Sequence, residues 1–153
     1  MTHLSGGRDL KTYKKILVGY DGSENAKRAL ARAVALSTGQ GSAIRVVVAV
    51  STVLTVYGPT APYYPPGYPE QIMKEGQKLL EAAMSTAKDA GRSVSGSVED
   101  GHPSEIILRL AESERADLIV LGRRGISGIE RFLLGGVSSS VVNHSKCDVL
   151  IVK

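Results

Sequence analysis

Two glycine pairs and a run of hydroxyls hold the most chemistry in this sequence. They are Gly122-Arg123-Arg124-Gly125, then Gly135-Gly136, then Val137 with Ser138, Ser139 and Ser140. Nine residues, 126 to 134, separate Gly125 from Gly135. Glycine lets an oxyanion approach main-chain atoms that a Cβ would shield. A helix starting behind the second pair would aim free N–H groups and a partial positive charge at that anion. Ser138 and its neighbours would add donors, and Arg123 or Arg124 would neutralise charge. The pattern reads as a phosphate cradle. The same glycines would equally serve as turns, and the same serines as helix caps.

Other chemistries find less support. The histidines are His3, His102 and His144, and no Cys/His/carboxylate cluster has metal-ligand spacing, so no protein-built metal site is expected. No serine–histidine–carboxylate set or carboxylate pair has a defensible geometry, so no catalytic residue is assigned and no enzyme is expected. Neither G-x-G-x-x-G nor the GxxxxGK[ST] lysine motif occurs. His102 reads as a surface turn residue and His144 as a helix-end or surface group.

The elements that must position these residues follow from periodicity. Ile16 to Tyr20 reads as a buried strand ending at Asp21-Gly22, with Ser23 as the N-cap of a helix. Ala26, Ala29, Leu30, Ala33 and Val34 give that helix an apolar stripe, and Gly39 and Gly41 end it. Ala43 to Val50 is a second strand, apolar on both faces from Val46, as expected of a parallel sheet covered on both sides. Residues 57–69 hold five of the six prolines and four of the six tyrosines, so they read as an extended loop of lid or contact type. A helix follows from Ile72 to Ala90, a strand over Ser93 to Glu99, and a helix from Pro103. Next come a strand over Asp117 to Leu121, a helix over Val137 to Ser145 and a strand over Val149 to Val152. Strict alternation predicts an α/β fold, a five-stranded parallel sheet with helices on both faces. Ligands of such sheets sit beyond the carboxyl ends of the strands. Asp21, Val50 and the Gly122 segment all fall there.

Composition agrees with one domain. The chain has 153 residues, with 19 Lys+Arg against 15 Asp+Glu, a balance of +4. Hydrophobic residues at 42% and charged residues at 22% exclude a disordered or coiled-coil chain. No apolar run reaches the roughly 18 residues of a membrane span, and the start has no signal-peptide core. Cys147 is the single cysteine, so a reducing cytoplasm is the expected location. The mild basic balance suits an anionic small ligand. Its dispersal, without a recognition motif, argues against nucleic acid. Residues 1–13 read as a flexible leader and 14–153 as the domain.

From Lys14 to Lys153 the sequence resembles a single-domain universal stress protein. The resemblance rests on Lys15-Ile-Leu-Val-Gly-Tyr-Asp-Gly-Ser, on Asp117-Leu-Ile-Val-Leu-Gly and on the closing Cys147-Asp-Val-Leu-Ile-Val-Lys. Gly122, Gly125 and Gly135 match the Gly-two-Gly-nine-Gly pattern of the nucleotide-binding branch. The resemblance implies a Rossmann-like fold of the adenine nucleotide alpha hydrolase type, with ATP or AMP in the crevice and Mg²⁺ arriving through phosphates. It implies that Asp21, beside Gly19 and Tyr20, holds ribose hydroxyls and that the Val50 backbone meets the adenine edge. Leu121, Gly122, Arg123, Arg124 and Gly125 would line ribose and phosphates, and Gly135, Gly136, Val137 and Ser138 would bind phosphates at the helix start. Gly136 departs from the family's Ser or Thr at its position, which predicts weakened binding. The resemblance also implies a homodimer through Val149–Val152 and a stress-response sensor or signalling role with a protein partner. The competing expectations are a dimeric interaction protein that binds no nucleotide, and a slow ATPase.

Overall fold

The computed structural model describes residues 12–39, 41–53, 64–123 and 134–153. Nine elements alternate in the expected order: β1 (Lys15–Gly19), α1 (Glu24–Ser37), β2 (Ala43–Val50), α2 (Tyr68–Asp89), β3 (Val94–Asp100), α3 (Pro103–Ser113), β4 (Leu118–Gly122), α4 (Gly136–His144) and β5 (Asp148–Val152). All four strand pairings are parallel, in the order β3-β2-β1-β4-β5. The order reverses at β1, which has β2 on one side and β4 on the other. That reversal opens a crevice beyond the carboxyl ends of β1 and β4.

The unbroken apolar strands are explained by two separate cores. Ile16, Val18, Val46, Val48 and Val120 face α1 and α2, where they meet Ala26, Leu30, Leu80 and Ala83. Leu17, Val47, Ile119 and Leu121 face α3 and α4, where they meet Ile106, Ile107, Leu110 and Val141. Alternate residues of each strand thus serve opposite faces, so no position can be polar without cost. At the β3 margin the α3 side is closed by polar groups instead. Arg45 pairs with Glu114 at 3.1 Å and donates to Ser97 at 2.9 Å, while Arg109 pairs with Glu99 at 3.1 Å. The Ser97 hydroxyl, followed by Arg109, holds the Glu99 carboxyl below its ordinary value.

Local signals act where the sequence puts them. Ser23 caps α1 by accepting from the Ala26 N–H at 3.1 Å. Pro103 opens α3, where a missing N–H costs nothing. Asp117 fixes the start of the sheet, its Oδ2 accepting the backbone N–H groups of Lys14 (2.8 Å) and Lys15 (2.9 Å). Tyr13 is already docked, its hydroxyl donating to Asp148 at 2.9 Å.

One boundary differs from expectation by more than a residue. α2 starts at Tyr68, four residues before Ile72, and takes Tyr68 and Pro69 out of the supposed 57–69 loop. Proline is disfavoured inside a helix but not in its first turn, and Gly67 at φ 78° turns the chain into it. The Tyr68 N–H closes that turn on the Pro65 carbonyl at 3.0 Å. Residues 57–63 of the loop lie outside the described residues.

Candidate functional site

A cavity with about 570 Å³ of empty space, counting its open mouth, occupies the crevice at the strand reversal. Its walls come from every layer. Gly19, Tyr20 and Asp21 follow or end β1, Leu121 and Gly122 end β4, and Val47 and Ala49 come from β2. Ala26 of α1, Pro103 and Ile107 of α3, and Val137 and Ser138 of α4 complete the lining. Most of the surface is aliphatic, with a carboxylate at one point and a helix start at another.

Close packing explains the glycines better than turn formation does. A Cβ on Gly19 would lie 2.5 Å from Leu121 Cδ2 and 3.0 Å from Ile107 Cδ1. A Cβ on Gly122 would lie 2.6 Å from the Asn25 carbonyl carbon and 2.7 Å from its Cβ. Gly122 is therefore where the first turn of α1 presses onto β4, and it lines the cavity as well. Gly136 is different, since a Cβ there would meet nothing within 4 Å.

The polar groups are set by their neighbours. Asp21 Oδ1 accepts the Ser23 N–H at 2.9 Å, which shapes the entry to α1, and Asp21 is also a lining residue of the cavity. The expected turn role and a place on the cavity wall thus belong to one residue. Tyr20 is 8% exposed, and its burial pushes the phenol above its ordinary value, so it stays neutral. At α4, Gly135 is the N-cap, and its own N–H donates to the Arg123 carbonyl at 3.0 Å. The first intrahelical bond runs from Ser139 to the Gly135 carbonyl at 2.9 Å. Gly136, Val137 and Ser138 therefore carry the N–H groups that a helix start cannot pair internally. These donors and the helix dipole make this edge of the cavity suited to an anion.

The structure brings together Gly19, Tyr20, Asp21, Leu121, Gly122, Val137 and Ser138 on the lining. Gly135 and Gly136 stand just behind, at the start of α4. Arg123 follows β4 without lining the cavity, its N–H bound to the Val152 carbonyl at 2.8 Å. Arg124 and Gly125 lie outside the described residues. Val50 is not on the lining: its side chain packs into the α1–α2 core, against the bare Cα of Gly76, and its carbonyl accepts the Gly101 N–H at 2.8 Å. Strand alternation gives its place to Val47 and Ala49, which face the other way. The Ser138 hydroxyl donates to the Gly122 carbonyl at 2.9 Å.

Val47, Ala49, Pro103 and Ile107 were not singled out as site residues from sequence. The signal for Pro103 was its position after a strand carboxyl end, at Gly101-His102-Pro103. His102 is exposed, and its Nδ1 meets the Ser104 hydroxyl at 2.9 Å. Ser104 is 4% exposed and off the lining, so the pair is a local contact of the first turn of α3. Among the described residues, no group of three His, Cys, Asp or Glu could hold a metal. No described helix is long and apolar enough to cross a membrane.

The family model for the universal stress protein family matches residues 12–153. A protein of Staphylococcus aureus (strain USA300), named a putative universal stress protein, is 35% identical over 144 residues, 93% of this chain and 85% of its own. A universal stress protein solved in complex with cAMP superimposes with a TM-score of 0.67 at 30% identity, covering 94% of this chain and 98% of that one. Hypothetical protein MJ0577, solved for a structure-based assignment of its biochemical function, gives a TM-score of 0.78 at 26% identity, over 94% and 97% of the two chains. The chain belongs to the universal stress protein family.

Gly122 and Gly136 should respond differently to the same substitution. Gly122→Ala forces a Cβ into the α1 backbone and is expected to cost about 1–3 kcal/mol. Gly136→Ala enters open space at a helix start and should leave stability within about 0.5 kcal/mol. Urea denaturation midpoints check both, and equal losses would contradict the packing described for Gly122.

Proposed function

We propose that this chain is an adenine-nucleotide-binding regulatory protein of the stress response, taking ATP or AMP in the crevice between β1 and β4. It acts as a sensor or signalling module and not by turnover. The observation that supports this most is the cavity's make-up: one lining combines aliphatic side chains, the Asp21 carboxylate and helix-start amides that α4 cannot pair internally. A purine ring fits the slot beside Val47, Ala49 and Ile107. Ribose hydroxyls donate to Asp21, and the phosphates take the amides of Gly136, Val137 and Ser138. Arg124 and Gly125 belong to the same phosphate end in this reading, and Mg²⁺ comes with the phosphates of ATP. The cAMP complex of a family member 30% identical to this chain supports an adenine mononucleotide as the ligand class. With Gly136 where the family carries Ser or Thr, main-chain donors carry more of the phosphate contact than a hydroxyl would.

β5 is an outer strand of the sheet, and among the described residues it pairs with β4 and no other strand. Such edges are association sites unless they are covered. A second copy adding its own Val149–Val152 strand would cover this one, and we assign the homodimer contact there.

Calorimetric titration with AMP and ATP tests the nucleotide. Asp21→Asn keeps an acceptor for the Ser23 N–H but removes the charge. Losing a charge-assisted hydrogen bond of about 1.5–3 kcal/mol should weaken binding roughly ten- to a hundredfold. No heat at millimolar adenylate, or an unaffected Asp21→Asn variant, would contradict the assignment. For the dimer, sedimentation of a Leu150→Glu, Ile151→Glu double variant should show monomer or aggregate, whereas a fully dimeric double variant would refute the β5 contact.

A further inference from the structure

Ser138 lies among the α4 amides, yet its proton goes elsewhere. Its Oγ is 2.9 Å from the Gly122 carbonyl, with the Arg123 carbonyl a longer neighbour at 3.3 Å. The side chain is 3% exposed. A serine hydroxyl has one proton to donate, so this serine cannot hold the Gly122 carbonyl and donate to a phosphate at once. The same stretch is held from two further directions. The Gly135 N–H donates to the Arg123 carbonyl at 3.0 Å, and the Arg123 N–H donates to the Val152 carbonyl at 2.8 Å. The first turn of α4 is thus fastened to the end of β4, which is in turn fastened to the end of β5.

We propose that Ser138 is a positioning residue for phosphate recognition. Through the Gly122 carbonyl it fixes the direction in which the N–H groups of Gly136, Val137 and Ser138 point, without touching the phosphate itself. This rests on the nucleotide reading above and deepens it. Donors aimed in advance lose little on binding, whereas a helix start free to rock must be ordered by the ligand. The aliphatic slot of Val47, Ala49 and Ile107 belongs to other elements, so the effect falls on the phosphate and not on the base.

The test compares wild type, Ser138→Ala and Ser138→Thr. AMP and adenosine are titrated by calorimetry, and amide hydrogen exchange is followed by NMR in the ligand-free proteins. In Ser138→Ala the preference for AMP over adenosine should fall about tenfold, a loss of the order of one hydrogen bond. Exchange at the Arg123 and Gly135 amides should quicken several-fold, and Ser138→Thr should restore both. A lost preference with unchanged exchange would make Ser138 a direct phosphate ligand and overturn the proposal. Faster exchange with an unchanged preference would make it a fastening alone, and overturn it equally. Absence of AMP heat from wild type would overturn the nucleotide reading and this role with it, a result distinct from either of those patterns.

Discussion

The bare Cα of Gly122 is the constraint on which the site depends. With a Cβ 2.6 Å from the Asn25 carbonyl carbon, α1 could not seat its first turn against β4. That seating brings Asp21 and Ala26 to the same crevice as Leu121 and Ser138. The Gly122 carbonyl also receives the Ser138 hydroxyl, so one residue sets the positions of two helix starts. Close packing and ligand exposure are therefore two uses of a single missing side chain.

The fold was readable in the sequence because its rules are local. Apolar runs too continuous for a one-faced sheet marked the strands, Ser23 and Pro103 marked helix starts, and strict alternation marked the parallel crossovers. The start of α2 was less readable. A stretch dense in proline and tyrosine reads as loop, although Pro69 sits where a helix accepts proline. The site was legible in part. Asp21 and the Gly122 segment were placed by the rule that ligands meet the carboxyl ends of strands. Val47 and Ala49 were not, because β2 is apolar on both faces and periodicity cannot say which face a given helix covers. The Val50 backbone was expected at the adenine edge from the resemblance alone, and its carbonyl accepts the Gly101 N–H. The Ser138 hydroxyl is a longer-range case: its acceptor is 16 residues away on another element, beyond any local pattern.

The distribution of charge suits the proposed mononucleotide. The carboxylate of Asp21 and the positive end of α4 occupy different parts of one cavity, matched to sugar hydroxyls and to phosphate. The rest of the lining is mostly aliphatic, which favours a flat ring over water. The chain's +4 balance adds a weak general attraction for anions. It does not select among them; that falls to the geometry of the cavity.

Phosphate capture by main-chain donors at the start of α4 is the central claim, and amide chemical shifts read it directly. In ¹⁵N-labelled protein, saturating AMP should move the Gly136, Val137 and Ser138 amide resonances strongly, while adenosine shifts residues around Ala49 and Ile107 and leaves these three nearly in place. If AMP and adenosine shifted the three amides alike, or neither shifted them, the α4 start would not be the phosphate site.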